Sequence, residues 1–144
     1  MLLLVLPPLA LLAVLLVLTA RKGNGASLAD VPGYDIGFPA GELITTTKVS
    51  GLLGAASQED RVYGTAADPT EIAASFERSL SGAGYRQVAP PEPPAPGDRF
   101  LGRYQLGQAR WLVILRDLPA RIDGHTYEIG ERGFVHVVVV RIER

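Results

Sequence analysis

Two histidines, His125 and His136, and no cysteine are present, so imidazoles and carboxylates carry most of what the chain offers for acid–base or metal chemistry. His125 shares one polar stretch with Asp123, Glu128 and Glu131, a set that could serve a metal ion or a general acid–base pair. His125 and Glu128 stand three apart, a spacing that converges on a helix. Their surroundings read as turn and strand, where residues three apart point to opposite faces. Neither an HxH nor an HExxH pattern strengthens the case. His136 alternates with valines in FVHVVVV and reads as a hydrogen-bonded strand residue.

Other chemistries find less support. The serines form no GxSxG elbow, and the glycines of 51–54 have neither a following lysine nor GxGxxG spacing, so no phosphate cradle is indicated. Glu128 and Glu131 would need a cleft to act as paired glycosidase carboxylates, and a small domain has little room for one. Without cysteine there is no disulfide, thiolate metal site, thiol nucleophile or lipid-bearing cysteine. Net charge is −1 with the charges scattered, which argues against a nucleic-acid partner. Arginine outnumbers lysine twelve to two. With alanine and glycine plentiful, that reads as the codon usage of a GC-rich bacterial genome, not as phosphate recognition. No motif points to a cofactor, a bound metal or a small-molecule ligand.

These residues must be positioned by a domain that follows an apolar leader. Residues 2–18 contain no charged or hydrogen-bonding side chain, and Arg21 and Lys22 come soon after. A run of about twenty apolar residues is long enough to span a bilayer. Pro7 and Pro8 divide it, leaving 9–18 as a piece the size of an export-signal core. It is therefore either a single-pass anchor or a cleaved signal. The lack of a basic n-region and the bulky Leu18 before Thr19 and Ala20 favour the anchor. Lipid bilayer is the partner expected for residues 2–20. Orientation is conflicted: Arg21 and Lys22 favour a cytoplasmic domain by the positive-inside rule, whereas the leader-then-domain layout favours an extracytoplasmic one. Residues 21–41 hold five glycines and two prolines and read as a flexible tether, although Tyr34, Ile36 and Phe38 alternate as an edge segment would.

Residues 42–144 read as a single α+β domain. The β-branched run 42–49 predicts a strand, and 59–65 a second one with Val62 toward the core and Arg61 and Tyr63 on the other side. Asp68, Pro69, Thr70 and Glu71 supply an N-cap acceptor, a proline at the first helical position and a capping-box glutamate. The predicted helix runs to Ser81 with Ile72, Phe76 and Leu80 on one stripe, and Gly82 and Gly84 stop it. Residues 85–88 resume extended structure, and 90–97, with five prolines in eight residues, form a stiff connection. Residues 99–106 alternate, placing Phe100, Gly102, Tyr104 and Leu106 together, and Gly107 with Gln108 suits a type II′ turn. The run 110–117, apolar on both faces, predicts a central strand ended by Leu118 and Pro119. A short strand is expected at 126–129. The final run, 133–144, predicts another central strand, with Phe134, His136, Val138, Val140 and Ile142 facing one way. Trp111 and Tyr104 are expected as cross-strand neighbours in the core. The expected architecture is an antiparallel β-sheet of five to six strands with one amphipathic helix packed on a face, preceded by an N-terminal apolar helix.

The run RVYGTAADPTEIAASFERSLSGAGYRQV resembles a pattern of small bacterial envelope domains of unknown function. In that pattern a strand leads into a Pro-Glu-started helix with a central aromatic, a leucine and a glycine–aromatic pair. Here these are Pro69 and Glu71, Phe76, Leu80, and Gly84 with Tyr85, and Phe38, Pro39, Ala40 and Gly41 match the start of such domains. The likeness covers about half the chain, brings no catalytic residue, and implies an extracytoplasmic domain without naming an activity; an envelope protein is the partner expected for a binding role. Tyr85 stands where tryptophan is more usual, and the lipid-anchor cysteine is absent. Function reads first as a membrane-tethered, non-enzymatic binding or structural component of the envelope. The alternative is a small hydrolase or metal-dependent enzyme using His125, Glu128 and Glu131.

Overall fold

The computed structural model describes residues 27–51, 56–90 and 93–144. The apolar helix expected in residues 1–20 and the first part of the tether lie outside the described residues. Among the described residues, no helix is long and apolar enough to cross a membrane. In chain order the elements are β1 (Gly41–Val49), β2 (Gln58–Thr65), α1 (Pro69–Gly82), β3 (Arg86–Val88), β4 (Asp98–Leu106), β5 (Ala109–Asp117), β6 (Ala120–Ile122), β7 (His125–Tyr127) and β8 (His136–Glu143). Six strands form one sheet in the order β1-β2-β8-β5-β4-β3, every neighbouring pair antiparallel, and β6 and β7 pair as a separate ribbon. The architecture is α+β, as the alternation of residue types predicts.

Helix α1 begins where its capping residues place it. Asp68 accepts from the Thr70 amide at 2.8 Å, the Asp68 amide donates to Glu71 at 3.4 Å, and Pro69 occupies the first turn. Ile72, Phe76 and Leu80 are its buried residues and lie on the sheet. On that side they meet Tyr104, Trp111, Val113, Leu115, Val138 and Ile142, with Tyr104 directly opposite Trp111 in the β4–β5 hairpin. Strand β8, last in the chain, lies between β2 and β5, so Val138, Val140 and Ile142 pack on the helix side while Val137 and Val139 face the other.

Four sequence expectations are corrected by packing that depends on distant partners. Phe100 does not share a face with Tyr104: the register slips between Phe100 and Gly102, and Phe100 joins the cluster on the sheet side away from the helix. A bulge inserts one residue and reverses the alternation. Phe134 likewise leaves the Val138 face, because it precedes β8 in a 3₁₀ turn at Glu131–Gly133; its ring lies over Gly64 and packs with Val137 and Val139. Tyr63 is buried beneath the helix layer and Val62 is only half-buried opposite. The strand expected at 126–129 sits at His125–Tyr127, with Ala120–Ile122 as its partner.

Residues 27–40, placed in the tether by their glycines and prolines, pack against the domain. Val31 and Phe38 are buried in the helix-side core, and Phe38 stacks on Phe76 and meets the edge of Tyr63. The Tyr85 hydroxyl donates to the Pro32 carbonyl at 2.7 Å. This segment covers the part of β2 that α1 does not reach, burying Glu59 and Tyr63 on that face.

Candidate functional site

Three polar clusters compete for attention. The first is the set singled out by the sequence. His125 Nε2 lies 2.6 Å from Glu131 Oε1, and Glu131 Oε2 accepts from the Glu128 amide at 3.1 Å. The structure therefore brings His125 and Glu131 together, while Glu128 contributes its backbone and not its carboxylate. The hydrogen bond with His125, then that of the Glu128 amide, holds the Glu131 carboxyl below its ordinary value. The imidazole packs edge-on against Tyr127 and is exposed. An oriented imidazole is half of a nucleophilic constellation. No hydroxyl side chain hydrogen-bonds to it among the described residues, and these contain no cluster of three or more His, Asp or Glu side chains placed to hold a metal. His136 is a strand residue with its Nδ1 buried 3.3 Å from the exposed Asp117, without hydrogen-bond alignment.

The second cluster surrounds Glu59, whose side chain on β2 is almost fully buried. Tyr34 donates its hydroxyl to Glu59 Oε2 at 2.5 Å, Arg61 Nε donates to Oε1 at 2.6 Å, and Lys48 Nζ lies 3.4 Å away. Burial alone would raise the Glu59 carboxyl. The bonds from Tyr34 and Arg61, with the charges of Arg61 and Lys48, outweigh it and bring the group below its ordinary value. Arg61 also donates to the Ile36 carbonyl and stacks over the Tyr34 ring. The bonds from Tyr34 to Glu59 and from Arg61 to the Ile36 carbonyl tie residues 34–36 to the sheet, so this cluster is a clamp. It faces no cavity.

The third lies on the sheet face away from the helix. Alternation puts Arg110, Leu112, Ile114 and Arg116 of β5 on this face, and the register carries the pattern across the neighbouring strands. One row reads Asp60, Arg141, Leu112 and Arg103 across β2, β8, β5 and β4; the next reads Val62, Val139 and Ile114. Pro93, Pro94 and Ala95 form one wall, Arg121, Ile122 and Asp123 another, and they bound a groove of roughly 690 Å³. That is within the range of small-molecule sites.

Five arginines and four carboxylates line this groove. Two pairs are bidentate: Arg141 to Asp60 at 2.9 and 3.0 Å, and Arg116 to Asp98 at 2.7 and 3.0 Å. Arg110 is less satisfied. Its Nε is buried 3.4 Å from Glu143 without a hydrogen bond. Arg103 donates only to the Ala89 carbonyl, at 3.2 Å, and Arg121 makes no ion pair among the described residues. Sequence reasoning missed this face. The alternation R-x-L-x-I-x-R of 110–116 was visible, but which residues of β2, β4 and β8 stand beside it depends on register. No protein-family model, curated protein or solved structure matches this chain.

Proposed function

We propose that the chain is a membrane-tethered, non-enzymatic binding domain of the cell envelope, with the concave sheet face opposite α1 as its ligand-facing surface. The observation that carries this reading is the groove itself. Half-buried Val62, Phe100 and Leu112 meet incompletely paired guanidiniums there, in a walled concavity with nothing of the described chain filling it. The tether rests on the apolar run 2–18. Because residues 27–40 pack as part of the domain, residues 19–26 are what separates that run from the fold, a reach of at most about 29 Å.

Three measurements test this. A photo-crosslinking residue at Thr47, on the groove rim, should yield adducts in cells while one at Glu77 on the outer face of α1 yields none; equal yields from both sites would remove the groove's claim. Carbonate-washed membranes should retain the protein at full mass, and a reporter after Arg144 assigns the side. A second reading, hydrolytic or metal-dependent chemistry at His125, draws on its 2.6 Å pairing with Glu131. It requires an activity that His125→Ala abolishes without loss of folding.

A further inference from the structure

We infer that the groove takes a single-chain fatty carboxylate, its head against Arg103 and Arg110 and its hydrocarbon tail along Leu112, Ile114 and Val139. The inference rests on the groove being the ligand-facing surface and specifies what it receives. At one end, Arg103 and Arg110 are diagonal neighbours on β4 and β5, since Arg103 pairs with Leu112 and Gln105 with Arg110. Diagonal positions lie about 7–8 Å apart, within reach of one anion for side chains as long as arginine. Both keep terminal guanidinium donors that no hydrogen bond among the described residues uses: Arg110 makes none, its buried Nε lying 3.4 Å from Glu143, and Arg103 spends one donor on Ala89. A carboxylate is the group whose geometry such donors match. With Glu143 3.4 Å from Arg110 and Asp60 on Arg141, little uncompensated positive charge is left in the groove, which suits a singly charged head.

The body of the ligand follows from the floor. From Arg110 to Arg116 the groove runs along β5 for roughly 20 Å at the usual rise of a strand. Leu112, Ile114, Val139, Val62 and Phe100 are the apolar side chains along it. The far end is closed by Arg116 and Asp98, which satisfy each other bidentately and leave no call for a second charge. An extended peptide fits less well. The central floor strands, β2, β8 and β5, are paired on both edges, and β4 keeps an open outer edge over residues 98–102, so the floor itself offers a peptide no backbone partner. A peptide's amides would then lie unpaired over aliphatic side chains, a cost a hydrocarbon chain does not meet. A two-chain phospholipid is too large for roughly 690 Å³.

The test uses the full chain in its own membranes and a diazirine-bearing fatty acid, with adducts mapped by mass spectrometry. Adducts should fall on β5 and β8, and unlabelled decanoate should compete them away. The matching fatty alcohol should label the same segments about tenfold less, as loss of one charge-assisted contact predicts. Arg103→Gln with Arg110→Gln should reduce fatty-acid labelling by at least about tenfold. Arg103→Gln alone, at a half-exposed residue whose one hydrogen bond among the described residues is to Ala89, should reduce it with the thermal midpoint unchanged. Equal labelling by alcohol and acid, labelling indifferent to both variants, or preferential labelling by a phosphatidyl probe would each overturn the assignment. If the fatty acid leaves the groove unlabelled while the Thr47 crosslinker still forms adducts, the ligand class fails and the binding face stands; if both are silent, both fall.

Discussion

At the scale of single residues, the sharpest energetic statement concerns Glu59. Its carboxylate is buried with Tyr34, Arg61 and Lys48 around it, and those partners hold it below the ordinary glutamate value despite burial. A carboxyl depressed in the native state favours folding above its unfolded pKa, and that contribution is lost as pH falls through the native value. Glu59→Gln should therefore cost about 3 kcal/mol at neutral pH, as removal of one partner of a buried pair does. In urea titrations at successively lower pH the wild type should approach the variant. A difference that stays constant with pH would refute the electrostatic account. His125 behaves oppositely. It pairs with Glu131 on the surface, where such bonds add little, so His125→Ala should leave the thermal midpoint nearly unchanged. Loss of folding in that variant would mean the pair organises the loop between β7 and β8.

At the scale of elements, local chemistry and long-range register divide the molecule. Helix α1 carries its own instructions, and Asp68→Ala, which removes the acceptor of the Thr70 amide, should cost about 1 kcal/mol by thermal or chaotrope melting. A cost near zero would mean that Glu71 or water takes over the cap. That helix, the central strands β5 and β8 and the Gly107 turn, where φ is 58°, could all be read from neighbouring residues. What could not be read are features set by partners far away in sequence. The bulge at Leu101 moves Phe100 across the sheet, and Gly64 is glycine because the Phe134 ring occupies the place of its side chain. A Cβ at Gly64 would overlap that ring, so Gly64→Ala should destabilise by about 2 kcal/mol through overpacking. The groove belongs to the same class. Arg110 was visible as a strand residue, but its placement beside Arg103 and Glu143 exists only once β4, β5 and β8 are in register.

At the scale of the whole molecule, residues 27–40 decide how many layers the fold has. Without them, Tyr63 and the buried end of β2 would be open to water, because α1 packs over β3, β4 and β5. With them, Val31 and Phe38 complete the layer α1 begins, and Tyr34 and Tyr85 fasten it through Glu59 and the Pro32 carbonyl. The segment should therefore unfold with the sheet and not before it. Phe38→Ala removes a buried ring stacked on Phe76 and edge-on to Tyr63, and should cost about 3 kcal/mol in a single cooperative transition. Hydrogen exchange should show the amides of Tyr34 and Ile36, bonded to Val31 and Gly33, protected as well as those of the β1–β2 hairpin. A spacer would give the opposite result on both counts: a near-silent substitution and amides exchanging at the rate of open chain. Cooperative loss would also place the clamp upstream of the groove, because β2, which Glu59 anchors on one face, carries Asp60 and Val62 on the other.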